Sequence, residues 1–73
     1  MNTEDKQYLI LLGENLKKMR IQKGFTQEKL AYTIGAEISQ ISRIERGVIN
    51  TSILNLHKIA SALNLSVKDL INF

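Results

Sequence analysis

The chain has 73 residues, enough for one small apolar core and too few for a sizeable active-site cavity. It contains no cysteine, which excludes disulfides and thiolate metal sites, and its ten Lys and Arg against seven Asp and Glu give a net charge of +3, which favours a polyanionic partner. Proline is absent and glycine is rare, so we expect an all-α chain that forms a single domain over residues 1–73.

The N-terminal segment carries one short apolar run, YLILL at residues 8–12. The run follows acidic residues, lacks a basic leader and is too short to cross a bilayer. We therefore expect no membrane association and place the chain in the cytoplasm.

The first half of the sequence predicts three helices. The first begins between Thr3 and Asp5 and ends at Lys23, because Gly24 can take the left-handed conformation that stops a helix. The second runs over residues 27–34, with Thr26 as its cap, and the third runs from about Ile38 to Arg46. Apolar residues three or four apart mark their buried sides: Leu9, Leu12, Leu16, Met19, Leu30, Ala31, Ile34, Ile41 and Ile44.

The second half predicts two more helices. Thr51 or Ser52 can cap a fourth helix, and Ser66 with Asp69 is typical of a capping box that opens a short fifth helix. The expected buried stripe of the fourth helix comprises Ile53, Leu56, Ile59, Ala60 and Leu63.

The spacing around Gly35 predicts a helix-turn-helix at about residues 26–46. Counting from Gln27 as the first position, Ala31 is fifth, Gly35 ninth, Ile41 fifteenth and Ile44 eighteenth. Glycine lets two short helices join at a steep angle, and the small Ala31 lets the third helix pass close. This spacing indicates a DNA-binding unit.

The positions of the third helix that this arrangement leaves outward form a small, polar and basic face: Ile38, Ser39, Gln40, Ser42, Arg43 and Arg46. Such a face suits the major groove, because short side chains allow close approach and Arg can donate two hydrogen bonds to guanine.

Three segments, LKKMRIQKGFTQEKLA, SQISRIERG and LHKIASALNLSVKDL, together resemble the Cro/C1-type (XRE-type) helix-turn-helix regulators, which include phage repressors and restriction-modification controllers. The resemblance covers nearly the whole chain. It implies a compact five-helix bundle like the DNA-binding domain of lambda repressor. It also implies sequence-specific binding to a palindromic double-stranded operator as a homodimer.

The resemblance, together with the outward face, assigns candidate roles by position. The base contacts are Ile38, Ser39, Ser42 and Arg43. The DNA-backbone contacts are Gln27, Gln40, Arg46, Asn50 and Thr51. Arg20 and Glu45 are expected to form a structural ion pair. Two residues depart from the family: Glu37 stands where a Ser or Thr cap is common, and Ile38 replaces a common Gln, so it can only pack on a thymine methyl.

We expect the dimer interface on the fifth helix with help from the fourth, because Leu70, Ile71 and Phe73 are more apolar than a free tail requires. For Leu70, closing the core of the monomer is an equally good explanation.

Other functions have weaker support. We expect no enzyme activity, metal, cofactor or small-molecule ligand, because the one His57 has no partner at ligand spacing and no nucleophile elbow is present. His57 is expected at or near the surface, and Lys17, Lys18 and Lys23 on a solvated face. Two alternatives stay open: a restriction-modification controller within the same class, and an antitoxin-like protein-interaction module outside it.

Overall fold

Five α-helices follow one another in the computed structural model, which describes residues 2–73. They are α1 (Thr3–Gln22), α2 (Gln27–Ile34), α3 (Ile38–Glu45), α4 (Ile53–Ala62) and α5 (Val67–Leu70). No β-strand occurs within residues 2–73, and the predicted all-α class is confirmed. The helix ends differ from the predicted ones by a single residue at two places, since Lys23 and Arg46 are the C-caps of α1 and α3.

Four of the five helices begin at a residue whose side chain accepts a hydrogen bond from the first turn. These caps are Asn2, Thr26, Ser52 and Ser66. At α5 the predicted capping box is present, because the Asp69 carboxylate also accepts from the Ser66 backbone N–H at 2.9 Å. The backbone and side-chain hydrogen bonds from Ser66 hold the pKa of Asp69 below its ordinary value.

The turn between α2 and α3 depends on Gly35, which has φ +71°. In that conformation the N–H of Ala36 reaches the carbonyl of Ala31 at 2.9 Å, so α2 ends with its last carbonyls bonded. Because the turn uses so few residues, α3 begins at Ile38 and crosses α2 directly after it.

One core receives side chains from every helix. Its buried apolar members are Leu12, Leu16, Leu30, Ala31, Ile41, Ile44, Leu56, Ile59, Ala60, Leu63 and Leu70. The prediction for Ile53 was wrong: its side chain is 69% exposed. Ile53 is the first residue of α4, and that end of the helix projects from the core. Leu9, Met19 and Ile34 are half-buried at the margin.

Helix α1 packs against the end of α3 and against α5. At its middle, a methyl group built on Gly13 would lie 2.5 Å from the backbone carbonyl oxygens of Ile44 and Glu45, so α1 crosses the end of α3 in direct backbone contact. On another face, the Asn15 side-chain amide donates to the carbonyls of Asp69 and Leu70 at 3.1 and 2.7 Å. These contacts hold α3 and α5 to one scaffold helix. Within residues 2–73, no helix has the length and apolar character needed to cross a bilayer.

Candidate nucleic-acid interface

The outward face of α3 is free of the core. Ile41 and Ile44 are buried on the inner side, whereas Ile38, Ser39 and Arg43 are exposed on the other. Two further predicted contacts, Gln40 and Ser42, are half-buried. Three of the four predicted base-contact residues therefore lie together on an accessible surface, with Ser42 at its edge.

The N-terminus of α3 is open. Glu37 occupies the N-cap position with extended backbone and makes no side-chain capping bond, so the weak cap that its carboxylate could have formed is absent. Its carbonyl accepts from Gln40 and Ile41, while the N–H groups of Ile38 and Ser39 have no acceptor within the helix. Exposed N–H donors at this end favour an anion, and the Glu37 carboxylate beside them opposes one.

A buried ion pair joins α1 to the end of α3. Arg20 Nε donates to Glu45 Oε2 at 2.6 Å and Arg20 Nη2 to Glu45 Oε1 at 3.1 Å, a two-point contact. Arg20 Nη1 also donates to the carbonyl of Phe25 at 2.7 Å, in the turn before α2. Only 7% of Arg20 and 6% of Glu45 are exposed. The guanidinium thus ties three parts of the chain together and fixes where α3 ends.

Gln27 is attached to the same pair. Its Nε2 donates to Glu45 Oε1 at 3.0 Å, and its side chain is half-buried. An amide nitrogen carries two hydrogens, so one remains to donate to a phosphate while the other is held by Glu45. Sequence spacing alone did not indicate this link between α2 and the ion pair.

The loop after α3 continues the candidate surface. Gly47 turns the chain with φ +72°, and the N–H of Val48 bonds back to the carbonyl of Arg43 at 3.1 Å. Arg46 is exposed, and its Nε lies 3.4 Å from the carbonyl of Ser42. Its guanidinium therefore keeps most of its donors for a ligand.

The last two residues predicted to contact the DNA backbone, Asn50 and Thr51, differ in their exposure. Asn50 is exposed, whereas Thr51 is half-buried and its hydroxyl accepts from Asn55 Nδ2 at 3.3 Å. The Thr51 hydroxyl hydrogen stays available as a donor.

The residues weighed for other roles lie away from this surface. His57 is exposed on α4, in a groove that it shares with Thr33 and Ile34 of α2. Lys17 and Lys18 are exposed on α1, as expected for a solvated face.

The contact made by Gly13 was not predicted from the sequence. Its signal was present, because a glycine inside an otherwise regular helix marks a close backbone approach when it is not a cap. In the structure that approach positions α3 against α1.

Two short helices joined at a glycine turn, with the second helix presenting an exposed polar face, define the helix-turn-helix class of DNA-binding proteins. Residues 13–72 match the family described as a helix-turn-helix domain, and the chain belongs to this family of DNA-binding transcriptional regulators. The resemblance to Cro/C1-type regulators inferred from the sequence is thereby confirmed.

Three relatives show how close the similarity is. Control protein C.BamHI of Bacillus amyloliquefaciens is 40% identical over 65 residues, which cover 88% of this chain and 80% of that protein. The crystal structure of the restriction-modification controller C.AhdI from Aeromonas hydrophila matches with a TM-score of 0.82 and 37% identity, covering 85% of this chain and 94% of the other. The restriction-modification controller C.Esp1396I, solved as a tetramer on its natural 35 base-pair operator, matches with a TM-score of 0.74 and 33% identity over 89% of this chain and 96% of the other.

Proposed function

We propose that this protein regulates transcription by inserting α3 into the major groove of a specific duplex operator. The observation that carries the proposal is the exposed face of α3, with Ile38, Ser39 and Arg43 pointing away from the core. A helix that reads bases must be held rigidly, and the buried pair of Arg20 and Glu45 anchors its C-terminal end.

The contacts divide into those that read bases and those that hold phosphates. Arg43 is long enough to reach guanine O6 and N7, Ile38 can pack on a thymine methyl, and Ser39 and Ser42 allow close approach. Phosphates would be bound on both sides of α3. The residues proposed for this role are Gln27, Gln40, Arg46, Asn50 and Thr51.

Within the family, the role of a restriction-modification controller has the best support. C.BamHI and C.AhdI are controllers, and each is matched over more than four-fifths of this chain. A regulator of this kind acts in the cytoplasm, and its action requires neither catalysis nor a cofactor.

Arg43 and Arg46 test this division, because both are exposed and they lie three residues apart. Replacing Arg43 by Ala should cost about 1–3 kcal/mol of binding on the operator and relax the preference at one base pair in each half-site. Replacing Arg46 should weaken binding to every sequence alike and reduce the slope of log affinity against log salt by about one unit per lost contact. Fluorescence anisotropy with operator and random duplexes at several salt concentrations measures both.

If the Arg43 variant loses affinity equally on operator and random DNA, Arg43 is a phosphate contact. Base reading would then rest with Ile38, Ser39 and Ser42.

We further propose that the protein acts as a homodimer through the start of α4 and the end of the chain. Leu70 is fully buried in the monomer's own core, the second of the two explanations given for it, so the proposed interface excludes it. Exposed apolar side chains remain on the predicted elements: Ile71 (44% exposed) and Phe73 (48%) beyond α5, and Ile53 (69%) and Leu54 (58%) at the start of α4. The ring of Phe73 packs on Tyr8 of α1, with centroids 5.2 Å apart, so the chain end has a defined place on the surface.

Replacing Ile71 by Lys should shift the protein toward monomer, because a charge would have to be desolvated in the interface. Replacing Ile21 by Lys is the matched control, since Ile21 is also an exposed isoleucine but lies at the end of α1. Sedimentation velocity at micromolar concentration checks both variants. A wild-type protein that stays monomeric with and without DNA would contradict the dimer.

A further inference from the structure

A groove beside the proposed DNA surface is formed by two segments that lie far apart in the sequence. One wall comes from α1, with Lys6, Leu9 and Ile10, and the other from Arg46, Gly47 and Val48 at the end of α3. Lys6 and Arg46 are the cationic residues of this groove, and both are exposed.

Close backbone packing fixes Lys6 at this place. A methyl group built on Gly47 would lie 2.6 Å from Ile10 Cα, so α1 touches the loop after α3 without any side chain between them. Lys6 precedes Ile10 by four residues, which puts the two side chains on the same face of α1, one turn apart. Helix α1 therefore places the Lys6 ammonium beside the loop that follows α3.

Lys6 forms no salt bridge in the described residues 2–73, and the neighbouring loop contains few positive charges. In the described part of the chain, residues 2–73, the salt bridge found is that of Arg20 with Glu45. The loop that is proposed to follow the DNA backbone, residues 47–52, reads GVINTS and contains no Lys or Arg. A backbone contact at this loop would otherwise depend on Arg46 and neutral donors alone.

The residue before Lys6, the acidic Asp5, lines a different depression. Asp5 shares its depression with Tyr8, Leu9 and Asn50, and Leu9 is the residue common to both depressions. The long lysine side chain can extend past the helix surface toward a ligand, whereas the short Asp5 side chain stays close to α1.

We propose that Lys6 is a further DNA-backbone contact, whose ammonium binds a phosphate at the groove that it shares with Arg46. The inference rests on the proposed function, since it assumes that α3 lies in the major groove. It extends the DNA surface from the helix-turn-helix onto the N-terminal part of α1, which sequence spacing did not indicate.

The test compares Lys6→Gln with Lys58→Gln on the full chain. Lys58 is an exposed lysine on α4, in the groove beside α2, and serves as the matched loss of one charge. Two copies of Lys6 per dimer should reduce the salt slope of duplex binding by about 1.8 units for Lys6→Gln, at about 0.9 per phosphate. Over a fourfold rise in salt the wild type would then lose about twelvefold more affinity than the variant.

Lys6→Arg should keep the wild-type slope, because it keeps the charge, and Lys6→Gln should affect operator and random duplexes alike. Equal slopes for Lys6→Gln and Lys58→Gln would overturn the inference while the wild type still bound its operator. A wild type without salt-dependent duplex binding would instead overturn the proposed function itself. Circular dichroism verifies that each variant is folded.

Discussion

Replacing Glu45 by Gln is expected to lower the free energy of unfolding by about 3–5 kcal/mol. The reason is the buried guanidinium of Arg20, which would keep its charge and lose the carboxylate that faces it at 2.6 Å. The amide of the new Gln would also direct N–H donors at the donors of Arg20. A chain of this length has a total stability of roughly 4–11 kcal/mol, so the substitution removes a large part of it.

Urea denaturation measures this effect as a lower midpoint at an unchanged slope. Glu28→Gln is the control, because Glu28 is an exposed carboxylate on α2 and should change stability by less than about 0.5 kcal/mol. The double variant Arg20→Met with Glu45→Met removes both charges and should recover much of the loss. A Glu45→Gln protein within 1 kcal/mol of the wild type would show that the pair does not anchor α3.

Replacing Gly47 by Ala is expected to cost about 2–5 kcal/mol, the second largest effect. Part of the cost is the left-handed backbone at φ +72°, which an alanine adopts at about 1–2 kcal/mol. The rest is steric, since the new methyl group would meet the backbone of Ile10 at 2.6–2.7 Å and force α1 away from the loop. Backbone cannot rotate aside as a side chain does.

Gly24→Ala separates the two contributions. Gly24 has nearly the same φ, +77°, but nothing lies within 4 Å of a methyl group built on it. It should therefore lose only the conformational part, about 1–2 kcal/mol. Thermal unfolding of both variants, with operator binding as a second readout, checks the difference. Equal losses of stability in the two variants would mean that the packing of Gly47 on Ile10 does not contribute to the free energy of unfolding.

The helices could be predicted from local signals, because those signals act within a few residues. Thr26 and Ser66 could be predicted as caps and Gly35 as a turn, because each acts on backbone groups only a few residues away. Ile53 shows the limit of periodicity: the repeat continues to the first residue of α4, but the core does not extend that far. Whether a side chain is buried depends on which residues of another helix pack against it. The spacing of apolar residues within one helix carries no information about that.

Some features of the candidate site could be predicted from local sequence, and others depend on tertiary packing. The exposure of Ser39 and Arg43 follows from the periodicity of α3, whose inner positions are apolar. The hydrogen bond from Gln27 to Glu45 and the groove around Lys6 join residues far apart in the sequence. They result from tertiary packing of α1 across α3, which only the assembled fold reveals.

We propose that α3 reads bases in the major groove of a palindromic operator. Selection of bound molecules from random duplex DNA, followed by sequencing, tests it most directly. We predict recovery of an inverted repeat whose half-sites are centred about one helical turn apart, with a guanine in each half-site that is no longer selected by the Arg43→Ala protein. Recovery of no preferred sequence, together with weak binding that does not respond to salt, would exclude base reading by α3 and favour a protein-interaction module.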